Sequence, residues 1–298
     1  MLKVSHVTKY YDDFRAVNDL SFEIKEGEIF GLLGVNGAGK TTTFRMIMGL
    51  LDKTEGEITL DGKKIDYSLT DQIGFLTEER SLITSKTVLE QAIYYGVLKG
   101  MTEEEVEIKL DEYLEEFNIK EYKNKKIKEL SKGNQQKIQF IISILHSPRL
   151  LILDEPFSGL DPVNTETLSE VMKELIAKGK YIIMSSHQMS SIEEFCTDLT
   201  ILNRGDTVLQ GNLEKIKNSY SSEKLELIVN QNIDNFVKEE NLEIIENKDN
   251  HYLIKQKDEK QGEELLRKLI NSNIRITKFE MKKPTLNEIF IEKVGDVK

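Results

Sequence analysis

The chain has 298 residues, 39% of them hydrophobic and 31% charged, which fits folded domains rather than disorder, and its length points to about two of them. A net charge of −11 excludes a main role in gripping nucleic acid, because neutralising phosphates needs a concentrated basic face, so no nucleic-acid partner is expected. No apolar run approaches the roughly 20 residues that cross a bilayer, the start Met1-Leu-Lys-Val-Ser lacks a signal-peptide core, and Cys196 is the only cysteine, so a cytosolic chain without disulfides is expected.

In chain order, the first clear element is a buried strand over 28–33, followed by Gly34-Val35-Asn36-Gly37-Ala38-Gly39-Lys40-Thr41 and a helix over 41–50 that includes Thr42. A helical insert is expected at about 87–146. Within it Thr102 and Glu105 have the spacing of a capping box, and Val106, Leu110, Tyr113, Leu114 and Phe117 form one apolar face that reads as core packing. Short apolar strands over 150–153 and 181–184 end in polar clusters, Asp154-Glu155-Pro156 and Ser185-Ser186-His187. Strands alternating with helices give an α/β fold on a parallel sheet, whose ligands gather at the strand ends. The composition turns polar over 218–222. Beyond it, 225–229 and 251–256 read as strands and 262–270 as a helix, giving a small α+β accessory domain over 222–298 whose charge run at 255–260 is a solvated face. His6, His146 and His251 match no motif and read as surface or packing residues, and Cys196 reads as a small buried hydrophobe.

The strongest chemical signal is the complete G-x-x-x-x-G-K-T loop between a strand and a helix. Its glycines let backbone N–H groups turn inward on phosphate oxygens, and the helix start adds partial positive charge. Lys40 places an ammonium near the β- and γ-phosphates, and the Thr41 hydroxyl is a ligand for Mg²⁺. Asp154, at the tip of a buried strand, suits the Mg²⁺ shell, and Glu155 next to it suits a base that orients the attacking water. Taken alone, Asp-Glu-Pro reads as a polar strand end; an upstream phosphate loop in the same sheet gives it a task.

Further motifs, in one order, make residues 1 to about 211 resemble the nucleotide-binding subunits of ABC transporters. Lys9-Tyr10-Tyr11-Asp12 followed by Ala16-Val17 is similar to that family's adenine-stacking segment, which implies Tyr11 against the base. Leu130-Ser131-Lys132-Gly133-Asn134 is similar to the signature motif, so Ser131, Gly133 and Asn134 are implied to cap ATP bound to an opposite subunit. Ser158-Gly159-Leu160-Asp161 is similar to the D-loop, and Met184-Ser185-Ser186-His187 to the switch segment, whose His contacts γ-phosphate and water. The resemblance implies ATP and Mg²⁺, a P-loop NTPase (RecA-like) core with an N-terminal antiparallel β-subdomain and a helical signature subdomain over 1–215, and catalytic roles for Glu155 and His187. It also implies a homodimer or heterodimer and a separately encoded transmembrane permease that holds the chain on the inner face of the membrane.

There are departures. Val35 stands where Pro is frequent, Lys132 replaces the first signature glycine, and Asn134 its glutamine. Glu78 takes the place of a Gln that reaches Mg²⁺, adding negative charge beside Asp154 and Glu155. The 77–80 segment, Ser-Lys-Gly-Asn134 and the Pro284-Thr-Leu-Asn-Glu tail together resemble the ABC-2-type exporter branch, with NatA-like sodium-efflux and antibiotic-resistance ATPases. Two rivals stay open. A soluble ABC ATPase of DNA or ribosomes generally carries coiled coils, zinc modules or two nucleotide domains, none of which is read here. A non-hydrolysing regulatory module is motivated by Glu78 and the altered signature, and an ATPase assay separates it.

Overall fold

In the computed structural model, which describes residues 1–79 and 81–295, alternating apolar residues build a first antiparallel pair, β1 (Leu2–Tyr11) and β2 (Phe14–Ile24). Leu2, Val4 and Val7 face Ile24, Phe22 and Leu20 across it, all buried. Chain order continues with β3 (Ile29–Gly34), α1 (Lys40–Ile47), β4 (Glu55–Leu60), β5 (Lys63–Lys64) and β6 (Ile73–Leu76). The order β2-β1-β4-β5 makes a separate antiparallel sheet. The Phe22 and Phe30 rings stack at 4.5 Å and join it to the core. Helix α1 stops short of the expected residue 50. Gly49, at φ 69, turns the chain left-handed, and the N–H groups of Gly49 and Leu50 close on the carbonyls of Met46 and Arg45.

Three helices follow: α2 (Val88–Leu98), α3 (Glu103–Glu116) and α4 (Lys132–Ile144). The spacing of Thr102 and Glu105 does give a capping box, and an equivalent one at Thr87 and Glu90 starts α2. Val106, Leu110, Leu114 and Phe117 are buried and Tyr113 half-buried, as the apolar stripe requires, each full burial contributing about 1.5–3 kcal/mol. The chain then returns to the core through β7 (Leu150–Asp154), α5 (Pro162–Ala177), β8 (Tyr181–Ser185), α6 (Met189–Phe195), β9 (Asp198–Asn203) and β10 (Asp206–Asn212). The central sheet runs β10-β9-β3-β8-β7-β6, with β9, β3, β8, β7 and β6 mutually parallel. Strands β3, β7 and β8 are buried at every position, the expected result when helices cover both faces of a parallel sheet. Because β3, β8, β7 and β6 are neighbours pointing the same way, the segments that follow them emerge side by side.

Contacts divide the chain into residues 1–210 and a second unit that begins at Gly211. The second unit holds α7 (Leu213–Ser219), β11 (Lys224–Val229), α8 (Asp234–Glu239), β12 (Glu243–Lys248), β13 (His251–Lys255), α9 (Glu259–Asn271), β14 (Ile276–Lys282) and α10 (Leu286–Gly295). From β11 to β14 the order β-α-β-β-α-β and the antiparallel sheet β12-β13-β11-β14 are those of a ferredoxin-like fold. Its core joins Leu225, Leu227, Tyr252 and Ile254 of the sheet to Leu265 and Leu269 of α9. Helix α9 starts earlier than the expected 262, because Asp258 caps it by accepting the Gln261 N–H. Arg80, part of the 77–80 likeness, and residues 296–298 lie outside the described residues.

The exposed face of that sheet carries one buried charge. Glu226 accepts from His251 Nε2 at 2.6 Å and from Lys278 Nζ at 2.7 Å, and pairs also with Lys282. These bonds hold its carboxyl down from 4.5 to about 2. A depressed acid stabilises the fold above its unfolded value and loses that contribution as pH falls through the folded one. Glu226→Gln is therefore expected to lower the melting temperature at pH 7, with the gap to the unsubstituted chain closing between pH 4.5 and about 2. Thermal melts across that range read it directly; a gap independent of pH removes the ion cluster from the account.

Candidate nucleotide-binding site

The loop after β3 is shaped by two close backbone approaches. A Cβ on Gly34 would lie 2.5 Å from the Leu202 carbonyl oxygen, and one on Gly39 would lie 2.6 Å from that of Ala16. Both glycines have positive φ, 154° and 108°. The Gly205 N–H donates to the Ala38 carbonyl at 3.0 Å, pinning the loop from the turn between β9 and β10. Helix α1 begins at Lys40 with no side chain capping it, so its first N–H groups are left for a ligand. Lys40 folds over its own loop, donating to the carbonyls of Gly34 at 2.7 Å and Val35 at 3.3 Å. Burial lowers its pKa, opposed by the negative charges of Asp154, Glu155 and Glu78.

Asp154 ends β7 and Glu155 follows it, and they are 8% and 7% exposed. Asp154 accepts from the Ser185 hydroxyl at the end of β8. Glu155 takes the left-handed φ of 54°, uncommon for a glutamate, and Ser186 Oγ donates to its Oε2 at 3.4 Å. Its Oε1 is buried without a hydrogen bond, with His187 Nε2 at 3.7 Å. Burial raises both carboxyls, and the charge of Glu78 adds to this. The structure thus brings together Lys40, Asp154, Glu155, Glu78 and His187, drawn from four neighbouring strand ends, with Thr41 and Thr42 in the first turn of α1.

The remaining sequence-derived residues lie around this centre. Tyr11, at the end of β1, is 42% exposed with Lys9 Nζ 5.2 Å from its ring centroid. Ser131 caps α4 by accepting the Asn134 N–H at 3.3 Å. Gly133 lies near the 158–161 segment, since a Cβ there would be 3.4 Å from the Gly159 carbonyl oxygen. Asp161 caps α5, accepting from the Asn164 N–H at 2.9 Å, so its carboxylate has an intrachain task as well. Ser158, Gly159 and Asp161 are exposed. His6 and His251 are exposed residues paired with carboxylates, at 80% and 50% side-chain exposure, whereas His146 is half-buried beside the Ile73 carbonyl and pushed down to about 4, mainly by loss of solvent. Cys196 is buried, and that burial raises its pKa.

Comparison with known proteins decides the family. A model of the ABC transporter family matches residues 17–158, and one of the ATP-binding protein DrrA1-3-like C-terminal domain matches residues 211–294. The chain is 46% identical over 297 residues to the ABC transporter ATP-binding protein YhaQ of Bacillus subtilis, covering 100% of this chain and 99% of that one. The chain belongs to the ABC transporter ATP-binding proteins. Within that family it is 34% identical to NatA of Bacillus subtilis, over 72% of this chain and 89% of NatA. Among solved structures, the ATP-binding subunit of an ABC transporter matches with a TM-score of 0.68 and 32% identity, covering 74% of this chain and 92% of that one. The dimeric cassette MJ0796 bound to ADP and Pi matches at 0.65 and 27%, over 72% and 99%. The P-loop α/β architecture is therefore that of the ABC ATPase cassettes.

Four residues near the centre were given no individual role by the sequence. Ser185 and Ser186 bond the two acids, and Gln136 and Gln139 of α4 reach the loops beside them. The serines were legible as part of the switch segment; nothing in the sequence pointed to the glutamines.

Proposed function

We propose that this ABC ATP-binding subunit closes with a second nucleotide domain on MgATP, hydrolyses it, and drives a separately encoded membrane permease that exports its cargo. The observation that carries the reading is the convergence of Lys40, after β3, with Asp154 and Glu155, at the end of β7 on the other side of β8, beside a backbone cradle. Magnesium fits these residues. Among the described residues no group of three His, Cys, Asp or Glu makes a closed metal site, whereas Mg²⁺ prefers one or two carboxylates together with substrate phosphates, the set that Asp154, Thr41 and the cradle supply, with Glu78 nearby. When bound, Mg²⁺ supplies charge neutralisation to the phosphates. Lys40 turns from its loop carbonyls to phosphate oxygens, and Glu155, with a buried unbonded oxygen, accepts the proton of the attacking water while His187 holds its other side.

Partners follow from incompleteness. Each chain has one phosphate loop and one signature segment, so Ser131, Gly133 and Asn134 act on a second copy's ATP, and Tyr11 stacks on the base in its own site. A groove of about 700 Å³ between the core and the helical insert, lined by Tyr67, Asp71, Lys99 and Gln139, supports a permease contact. Its apolar rim, Leu50, Tyr67 and Leu98, is 57%, 74% and 62% exposed. No helix of the described residues is long and apolar enough to cross a membrane. Likeness to NatA and to the linearmycin resistance protein LnrL supports export of Na⁺ or of a small peptide or antibiotic.

Purification from detergent-solubilised membranes, with ATPase assay of the subunit alone and in its complex, tests this. The expected result is a co-purifying membrane protein and Mg²⁺-dependent phosphate release; co-purification with ribosomes, or absence of ATP binding by calorimetry, sinks it.

A further inference from the structure

Helix α4 begins at the residues assigned above to the partner's ATP and then passes beside the chain's own site. Two of its glutamines, Gln136 and Gln139, are only 3% and 4% exposed. Three positions apart, they share one face of the helix. Gln136 Nε2 donates to the Pro156 carbonyl at 3.1 Å and the Glu155 carbonyl at 3.4 Å. Gln139 Nε2 donates to the Thr77 carbonyl at 3.0 Å and Thr77 Oγ1 at 2.9 Å, and reaches the Glu79 carbonyl at 3.4 Å. One glutamine thus grips the backbone that carries Glu155, and the next grips the backbone that carries Glu78.

Apart from the Thr77 hydroxyl the grips act on main chain, so they set where the two carboxylates stand without touching them. Glu155 has the more to gain, because its left-handed φ of 54° persists only where the surroundings impose it. Gln139 keeps its donor side at the expense of its oxygen, which is buried without a hydrogen-bond partner. A packed helix moves as a unit, so a small shift at its capped start is carried to residues one and two turns further on.

We infer that Gln136 and Gln139 are positioning residues that couple the two nucleotide sites, relaying closure of α4 on the partner's ATP to the Glu155 and Glu78 loops of the chain's own site. The inference rests on the two-site reading above.

The test uses the full chain with Gln136→Met or Gln139→Met, which keep length and remove the donor. Turnover is expected to fall about a hundredfold, the cost of a displaced catalytic group. ATP affinity stays within about twofold, as for loss of an interaction made only in the transition state. The Hill coefficient for ATP falls from about 2 towards 1. In a Glu155→Gln background the same substitutions leave the ATP-driven dimer intact, because Ser131 and Gly133 are unchanged. Turnover lost with the Hill coefficient retained would make the glutamines mere packing, and unchanged turnover would make them dispensable; either overturns the inference. Should Gln136→Met fail to fold, Gln139→Met, which frees only the 77–79 segment, carries the same expectations. If the unsubstituted chain shows neither cooperativity nor an ATP-driven dimer, the two-site reading fails and the inference falls with it.

Discussion

Glu155→Gln is expected to cut ATP turnover by about 10²–10⁴, the usual worth of a positioned base, while ATP binding persists and the ATP-bound dimer accumulates. The same substitution is expected to raise the melting temperature. Glu155 is 7% exposed, burial raises its pKa, and its Oε1 has no hydrogen bond, so the fold disfavours the charged form of its carboxyl. Gln is neutral and nearly the same shape, and its amide still accepts from Ser186, which now lies 3.4 Å from Oε2. Opposite signs for activity and stability are the mark of a group kept for chemistry rather than for packing. Phosphate release and a thermal melt on the same preparation check both halves. An active variant refutes Glu155 as the base; an inactive variant that melts earlier makes it a structural residue.

The pattern of what the sequence disclosed has a physical basis. The phosphate loop, the acids after β7 and the segment after β8 were legible because each is a contiguous string whose backbone geometry is local. The capping box of Thr102 and Glu105 was legible for the same reason, as was the apolar stripe of α3. Helix ends were less so: Gly49 closes α1 through a left-handed turn, and Asp258 opens α9 from within a charge run read only as solvated surface. The ferredoxin-like order of the second unit depends on β11 pairing with both β13 and β14, contacts distant in sequence that local patterns do not encode. Gln136 and Gln139 were missed because all but one of their partners are carbonyl groups, which every residue carries and no sequence displays.

Lys40→Ala and Gly39→Ala, one residue apart, are expected to impair ATP binding in different ways. On the proposed reading Lys40 contributes a charge-assisted hydrogen bond to phosphate, worth about 1.5–3 kcal/mol, so its loss is expected to weaken ATP affinity roughly ten- to hundredfold. The fold is little affected, because the bonds of Lys40 to Gly34 and Val35 are offset by the desolvation of its ammonium. Gly39→Ala adds one methyl group, 2.6 Å from the Ala16 carbonyl oxygen and 3.2 Å from Val17 Cγ2, at a φ of 108°. Backbone of that kind costs a residue with a side chain about 1–3 kcal/mol, and both obstacles belong to residues of β2 that are buried. The loop must move, so the N–H groups of the cradle lose their aim. The lysine variant therefore melts like the unsubstituted chain and binds ATP weakly, whereas the glycine variant melts earlier and binds weakly too. Calorimetric titration with MgATP alongside thermal melts distinguishes them. Normal affinity in Gly39→Ala would mean that the loop after β3 is not the phosphate cradle, since no phosphate-binding backbone tolerates that displacement.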